Sequence, residues 1–229
     1  MQIQFDPHLP EPADRALVLF CPAQAHPADL LAQGFVEQVR RRAIGADLYL
    51  PDLSLTHALD PSWMRDIETL VVTPQGRPPY REVWLAGISL GAYLALRFAA
   101  RHPEALAGVM LLAPYPGTGD VLQEIELAGG PLAWDTRANT GQVDEREWWH
   151  WLCAQRRAKS PRPSIYLAAG ESDRFRRGQL MLASLLDADR VRFAPGHHDW
   201  ETWRSLWQHW LDHGPLTNAA ASRRVQPAP

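Results

Sequence analysis

The chain has 229 residues, 46% of them hydrophobic, and a formal net charge of -3. That length and apolar content suit one sizeable core, so a single domain over 1–213 is expected. The near-balanced charge and scattered arginines, with no basic stripe, argue against nucleic acid or an anionic membrane and favour a small, largely uncharged ligand.

The N-terminal stretch up to Pro22 has no basic n-region and only a short apolar run, so neither a signal peptide nor a membrane span is expected there. Cys21 and Cys153 are the only cysteines, a usage that fits a reducing compartment better than a disulfide framework. The expected location is the cytoplasm, with both thiols buried as small apolar groups.

Short apolar runs alternate with helical patterns along the chain. A weak strand, "QIQF", opens it, and "ALVLFCP" from Ala16 is the first strong one. "DLLAQGFVEQVRRR" then spaces Leu30, Leu31, Phe35 and Val39 for one amphipathic helix with arginines in its last turn. "DLYLP" from Asp47 is the next strand. "DPSWMRDIETLVV" reads as a helix with Asp60 as N-cap and Pro61 at its first position.

"EVWLAG" from Glu82 leads into Ser89 and a segment to His102 that is apolar nearly all round, hence a buried helix. "AGVMLLAP" from Ala107 follows. From about 115 to 163 the rhythm breaks: "GDVLQEIELAG" and "DEREWWHWLCAQRRA" are two helical patterns before the next strand, and a small helical lid is expected. Its Trp134, Trp148, Trp149 and Trp151 suit either packing or contact with substrate. "SIYLAAG" from Ser164 and "RVRFAP" from Arg190 complete the strands, and the stretch 214–229 has little to bury and reads as disordered. The fold class is α/β: a mostly parallel, doubly wound sheet of about six to seven strands with helices on both faces and a lid insertion.

The chemistry centres on Gly87, Ser89 and Gly91, a G-x-S-x-G between a strand and a helix. Such a turn strains the central residue and exposes its hydroxyl, and it leaves the Leu90 amide at a helix N-terminus where it can donate to an oxyanion. A serine needs a base and the base needs an orienting acid. "ESDRF" supplies Asp173 after one strand, and "GHHDWETW" supplies histidines after the last.

The strand-turn-helix around "GISLG", the later "GESD" and the terminal "GHHDW" resemble the α/β-hydrolase superfamily over roughly residues 16 to 211. The resemblance implies Ser89 as nucleophile, Asp173 as acid and His198 as base, with His197 as the alternative base. Asp173 also suits the N-cap of the helix that follows it, and Asp199 is less suited to the acid's role. The resemblance further implies a second oxyanion donor after the first central strand. There the sequence reads "CPAQAH"; Pro22 has no amide hydrogen, leaving Ala23, then Gln24, as donor.

Gln24, Tyr115 and Trp134 are the expected substrate-lining residues. His26 and His57 also fall in loops at the sheet's carboxyl edge, with surface positions expected for both. No cofactor is implied, and neither "HHD" nor the His209 and His213 pair has a metal-motif spacing. The expected activity is hydrolysis of a carboxylic ester or thioester with a small to medium apolar acyl group. An acyltransferase or carbon-carbon bond hydrolase on the same triad, and a binding protein with a degenerate oxyanion loop, are the competing readings. Oligomeric state is not encoded in any recognisable pattern.

Overall fold

Seven strands form one sheet in the computed structural model, which describes residues 2–8, 13–53, 56–57, 60, 62–73, 79–134, 144–159 and 163–217. The strands are β1 (Ile3–Asp6), β2 (Arg15–Phe20), β3 (Asp47–Pro51), β4 (Glu82–Ile88), β5 (Gly108–Leu112), β6 (Ser164–Gly170) and β7 (Val191–Ala194), in the order β1-β3-β2-β4-β5-β6-β7. Only β1 runs antiparallel, pairing with β3 from Ile3 opposite Pro51 to Asp6 opposite Leu48. The other pairings are parallel. The central strands are buried on both faces, which is why they read as continuous apolar runs and not as alternating ones.

The helices are α1 (Pro27–Ala32), α2 (Phe35–Arg41), α3 (Trp63–Ile67), α4 (Leu90–Arg101), α5 (Gly119–Leu127), α6 (Arg146–Ala158), α7 (Arg176–Ala183) and α8 (Trp200–His213). Two apolar clusters lie on opposite faces of the sheet. One gathers side chains of α3, α4, α5, α6 and α7, and the other those of α1, α2 and α8. The helix foreseen between β2 and β3 is two helices, because Gly34 sits at φ +78 and the chain turns there. Phe35 and Val39 keep their buried positions on α2, whereas Leu31 is exposed.

α3 begins at Trp63, with Ser62 before it, and passes into a π-helical turn, Glu68–Val72. Asp60 accepts hydrogen bonds from the Ser62 amide and hydroxyl, so it shapes the approach to the helix. Pro61 lies outside the described residues, as do 218–229 of the tail and parts of the 115–163 segment. Within that segment α6 packs against α4, and Arg101 of α4 holds Glu147 at 2.8 Å. Trp148 and Trp149 are stacked, fully buried members of the core on that side of the sheet. α5, by contrast, ends in an 80% exposed Leu127.

Candidate active site

The site begins with a backbone that only a crowded strand-to-helix turn would impose. Ser89 follows β4 with φ 53 and ψ -113, a conformation that costs a non-glycine residue free energy. Its amide donates to Leu112 O at 3.0 Å, and its carbonyl accepts from Ala92, Tyr93 and Tyr115 amides at 3.1 to 3.2 Å. The turn is thus over-determined by β5 on one side and α4 on the other.

Both flanking glycines are required by contact distances. A Cβ on Gly91 would lie 2.4 Å from Phe20 O and 2.5 Å from Cys21 O, so α4 starts directly against the end of β2. A Cβ on Gly87 would lie 2.3 Å from the Gly91 carbonyl carbon and oxygen, so the clash is with the helix start and not with a neighbouring strand.

Two further loops leave the same sheet edge and meet Ser89. His198 Nε2 lies 2.9 Å from Ser89 Oγ, and His198 Nδ1 lies 2.8 Å from Asp173 Oδ2. The side chain of Asp173 is wholly buried and that of His198 is 7% exposed. An ionised Asp173 accepts from Nδ1–H, which leaves Nε2 to accept a hydrogen bond from the Ser89 hydroxyl; the roles of the ring atoms follow from their partners.

Burial works against the charge on Asp173, but hydrogen bonds from His198 and from the Phe175 amide, at 2.8 Å, hold its carboxyl below the ordinary aspartate range. Phe175 and Trp203 meet the His198 ring edge-on, with centroids at 4.9 and 5.0 Å. Neither was singled out as a site residue from sequence, although the spacing in "HDWETW" does put Trp203 one helical turn beyond Asp199.

The loop carrying His198 is fixed from both ends. A Cβ on Gly170 would lie 2.5 Å from Gly196 O, so β6 and this loop touch through backbone. Gly196 adopts φ +142 against Thr202, whose hydroxyl accepts from the His197 amide at 3.0 Å. Asp199 is the N-cap of α8, accepting from the Thr202 amide at 2.9 Å; that bond leads the others in holding its carboxyl below the usual range. His197 is exposed, and the ring joined to Ser89 and Asp173 is that of His198.

Leu90 is the first residue of α4, so its amide has no carbonyl four residues back within the helix. Ala23 and Gln24 lie exposed in a turn closed by Ala25 N to Pro22 O at 3.2 Å, and Gln24 has φ 64. This turn follows β2, whose end abuts the start of α4, so the Ala23 and Leu90 amides belong to adjacent pieces of chain.

Tyr115 is half-buried, its ring 5.2 Å from Phe175 and 5.8 Å from Tyr93. Trp134 is buried against His150 at 4.5 Å, within the core. His26 is exposed and bonds Asp52 at 2.9 Å, which pushes its pKa up. The His57 carbonyl accepts from Trp63 Nε1. Cys21 and Cys153 are buried, and loss of solvation, the largest effect on each, pushes them up to about 12 and about 11. Among the described residues no group of three or more His, Cys, Asp or Glu side chains is arranged to hold a metal ion, and no helix is long and apolar enough to cross a membrane.

The sheet order, the strained serine and the loops that meet it define an α/β-hydrolase. Residues 67–211 match the family described as "Putative esterase", and the chain belongs to that family; it is a carboxylesterase-type hydrolase. Among solved structures it is similar to FphF, a fluorophosphonate-binding serine hydrolase of Staphylococcus aureus, with TM-score 0.64 and 14% identity over 90% of this chain and 84% of that one. S-formylglutathione hydrolase (FrmB) from Staphylococcus aureus gives TM-score 0.61 and 14% identity over 86% and 79% of the two chains. Est1E from Butyrivibrio proteoclasticus gives TM-score 0.61 and 13% identity over 98% and 94%. No curated protein matches the sequence.

Proposed function

We propose that the protein cleaves carboxylic esters or thioesters of small to medium apolar acyl groups, with Ser89 as nucleophile, His198 as general base and Asp173 as the residue that orients the imidazole. The observation that carries this reading is the unbroken chain from Ser89 Oγ through His198 to buried Asp173, at 2.9 and 2.8 Å. His198 Nε2 takes the hydroxyl proton as Oγ attacks the carbonyl carbon, and the Leu90 and Ala23 amides receive the oxyanion. The imidazolium gives its proton to the leaving alkoxide or thiolate, leaving an acyl-Ser89 ester. Water, deprotonated by His198, then releases the acid and restores the serine.

Pro22 cannot donate, and in this reading its role passes to Ala23 on the exposed turn beyond it. Tyr115, with Phe175 beside it, supplies apolar surface next to the nucleophile, and Gln24, exposed on the turn after β2, is assigned a contact with the substrate. Trp134, buried with His150, is assigned no substrate contact.

Initial rates on p-nitrophenyl acetate, butyrate and decanoate and on a short acyl thioester test the reading. Wild type is expected to favour the shorter acyl groups, and Ser89→Ala to lose turnover by about 10^4-fold or more. Turnover retained in Ser89→Ala would refute it.

A further inference from the structure

α7 carries a polar side chain that the steps above do not use. Gln179 is fully buried, although a leucine or methionine would fill similar space with no polar group to desolvate. Its Nε2 donates to Pro114 O at 3.2 Å, and its amide is the last and smallest of the groups that hold the Asp173 carboxyl below the ordinary range. Its Oε1 has no hydrogen-bond partner among the described residues.

Both neighbours of the amide are acceptors, so the NH2 end must face them, and turning the amide over would set oxygen against oxygen. The orphaned Oε1 is the cost of that orientation, one that a side chain kept only for packing has no reason to bear.

The position of the amide explains what it does. Pro114 precedes Tyr115, whose amide donates to the Ser89 carbonyl at 3.1 Å. Asp173 lies just beyond β6, the strand next to β5. Gln179 therefore spans the two strand exits that carry the acid and abut the nucleophile. The next residue back, Gly178, is pressed against Pro116, where a Cβ would lie 2.4 Å from the ring, so α7 seats firmly on that loop.

We propose that Gln179 is a positioning residue: it fixes the rotamer of Asp173 and locks the acid loop to the β5 exit, so that His198 is held in line with Ser89. The proposal rests on the triad reading given above.

The test compares wild type, Gln179→Met, Gln179→Asn and Ser89→Ala by p-nitrophenyl acetate kinetics, the rate of fluorophosphonate labelling and thermal melting. Methionine keeps the shape without the donor; asparagine keeps the amide without the reach. Both are expected to lower kcat and the labelling rate by about 10- to 100-fold, the scale of a small misplacement of a catalytic group. KM is expected to stay within about twofold, and the melting temperature of Gln179→Met to equal or exceed that of wild type. Wild-type kcat in either folded variant would overturn the assignment, as would failure of Gln179→Met to fold, which would make the amide a prop of the fold. Turnover surviving in Ser89→Ala would instead refute the triad reading itself.

Discussion

At the scale of single residues, the two histidines of "GHHDW" separate by partner. His198 bonds both Ser89 and Asp173, whereas His197 is exposed and donates through its amide to the Thr202 hydroxyl. His198→Ala is therefore expected to abolish ester turnover, and His197→Ala to leave kcat within about twofold of wild type. Equal losses in steady-state assays of the two variants would contradict this. Asp173→Asn keeps the shape of the acid but removes the charge that fixes the ring's tautomer, so a loss of about 10^4-fold in kcat is expected. The cysteines supply a control. With thiols pushed up to about 12 and about 11 and buried, neither Cys21 nor Cys153 is expected to react with iodoacetamide in the native enzyme, while both should react in urea. Rapid alkylation of the folded protein, seen by mass, would contradict that.

At the scale of elements, the strand-to-helix turns depend on close backbone approach. Gly91→Ala would place its Cβ 2.4 Å from Phe20 O, a contact no rotamer can relieve. A loss of about 1–3 kcal/mol or more is expected from thermal or urea unfolding, with turnover falling as the Ser89 turn shifts. Asp199→Ala removes the N-cap of α8, and a smaller loss of about 1 kcal/mol is expected. The sequence made these turns legible, because Gly-x-Ser-x-Gly between an apolar run and a helix has few other uses. It did not reveal the break at Gly34, where helical spacing continues across a left-handed residue and only the backbone records the turn. Nor did it reveal that α6 packs against α4: two consecutive helical patterns suggest an insertion equally well, and only packing partners distinguish a lid helix from one that covers the sheet.

At the scale of the whole molecule, several carboxylates titrate below their ordinary range, for different reasons. Asp173 does so despite burial, through hydrogen bonds from His198 and Phe175; Glu82 does so despite burial, through Arg15; and Asp199 does so through the Thr202 amide. In each case the folded value lies below the unfolded one, so the unfolded state binds more protons as pH falls. Their contribution is complete above the unfolded values of about 3.9 for Asp and 4.3 for Glu and is lost as pH drops through the folded values. The melting temperature is expected to fall steeply below about pH 4, whereas between pH 7 and 5 the histidines contribute in opposite directions, His26 with its raised pKa adding stability and His150 and His209 with lowered ones removing it. A melting temperature that held steady or rose as pH dropped from about 4 to about 2 would contradict these pairings.

Sheet type could be foreseen because buried parallel strands are continuous apolar runs, whereas the strand order, with β1 and β7 at the edges, is seen only in the fold. That Asp173 and His198 lie at the same sheet edge could be foreseen from their places after β6 and β7, and the two are hydrogen-bonded there. Phe175 and Gln179 could not, since an aromatic and an amide near a helix start have many ordinary uses and acquire a role only through what they touch.

The most direct test of the central claim, an activated Ser89 served by His198, is intact mass after incubation with a small fluorophosphonate. One adduct is expected on wild type and none on folded Ser89→Ala or His198→Ala. An adduct that persists on Ser89→Ala, or a folded wild type that takes up no probe, would contradict it.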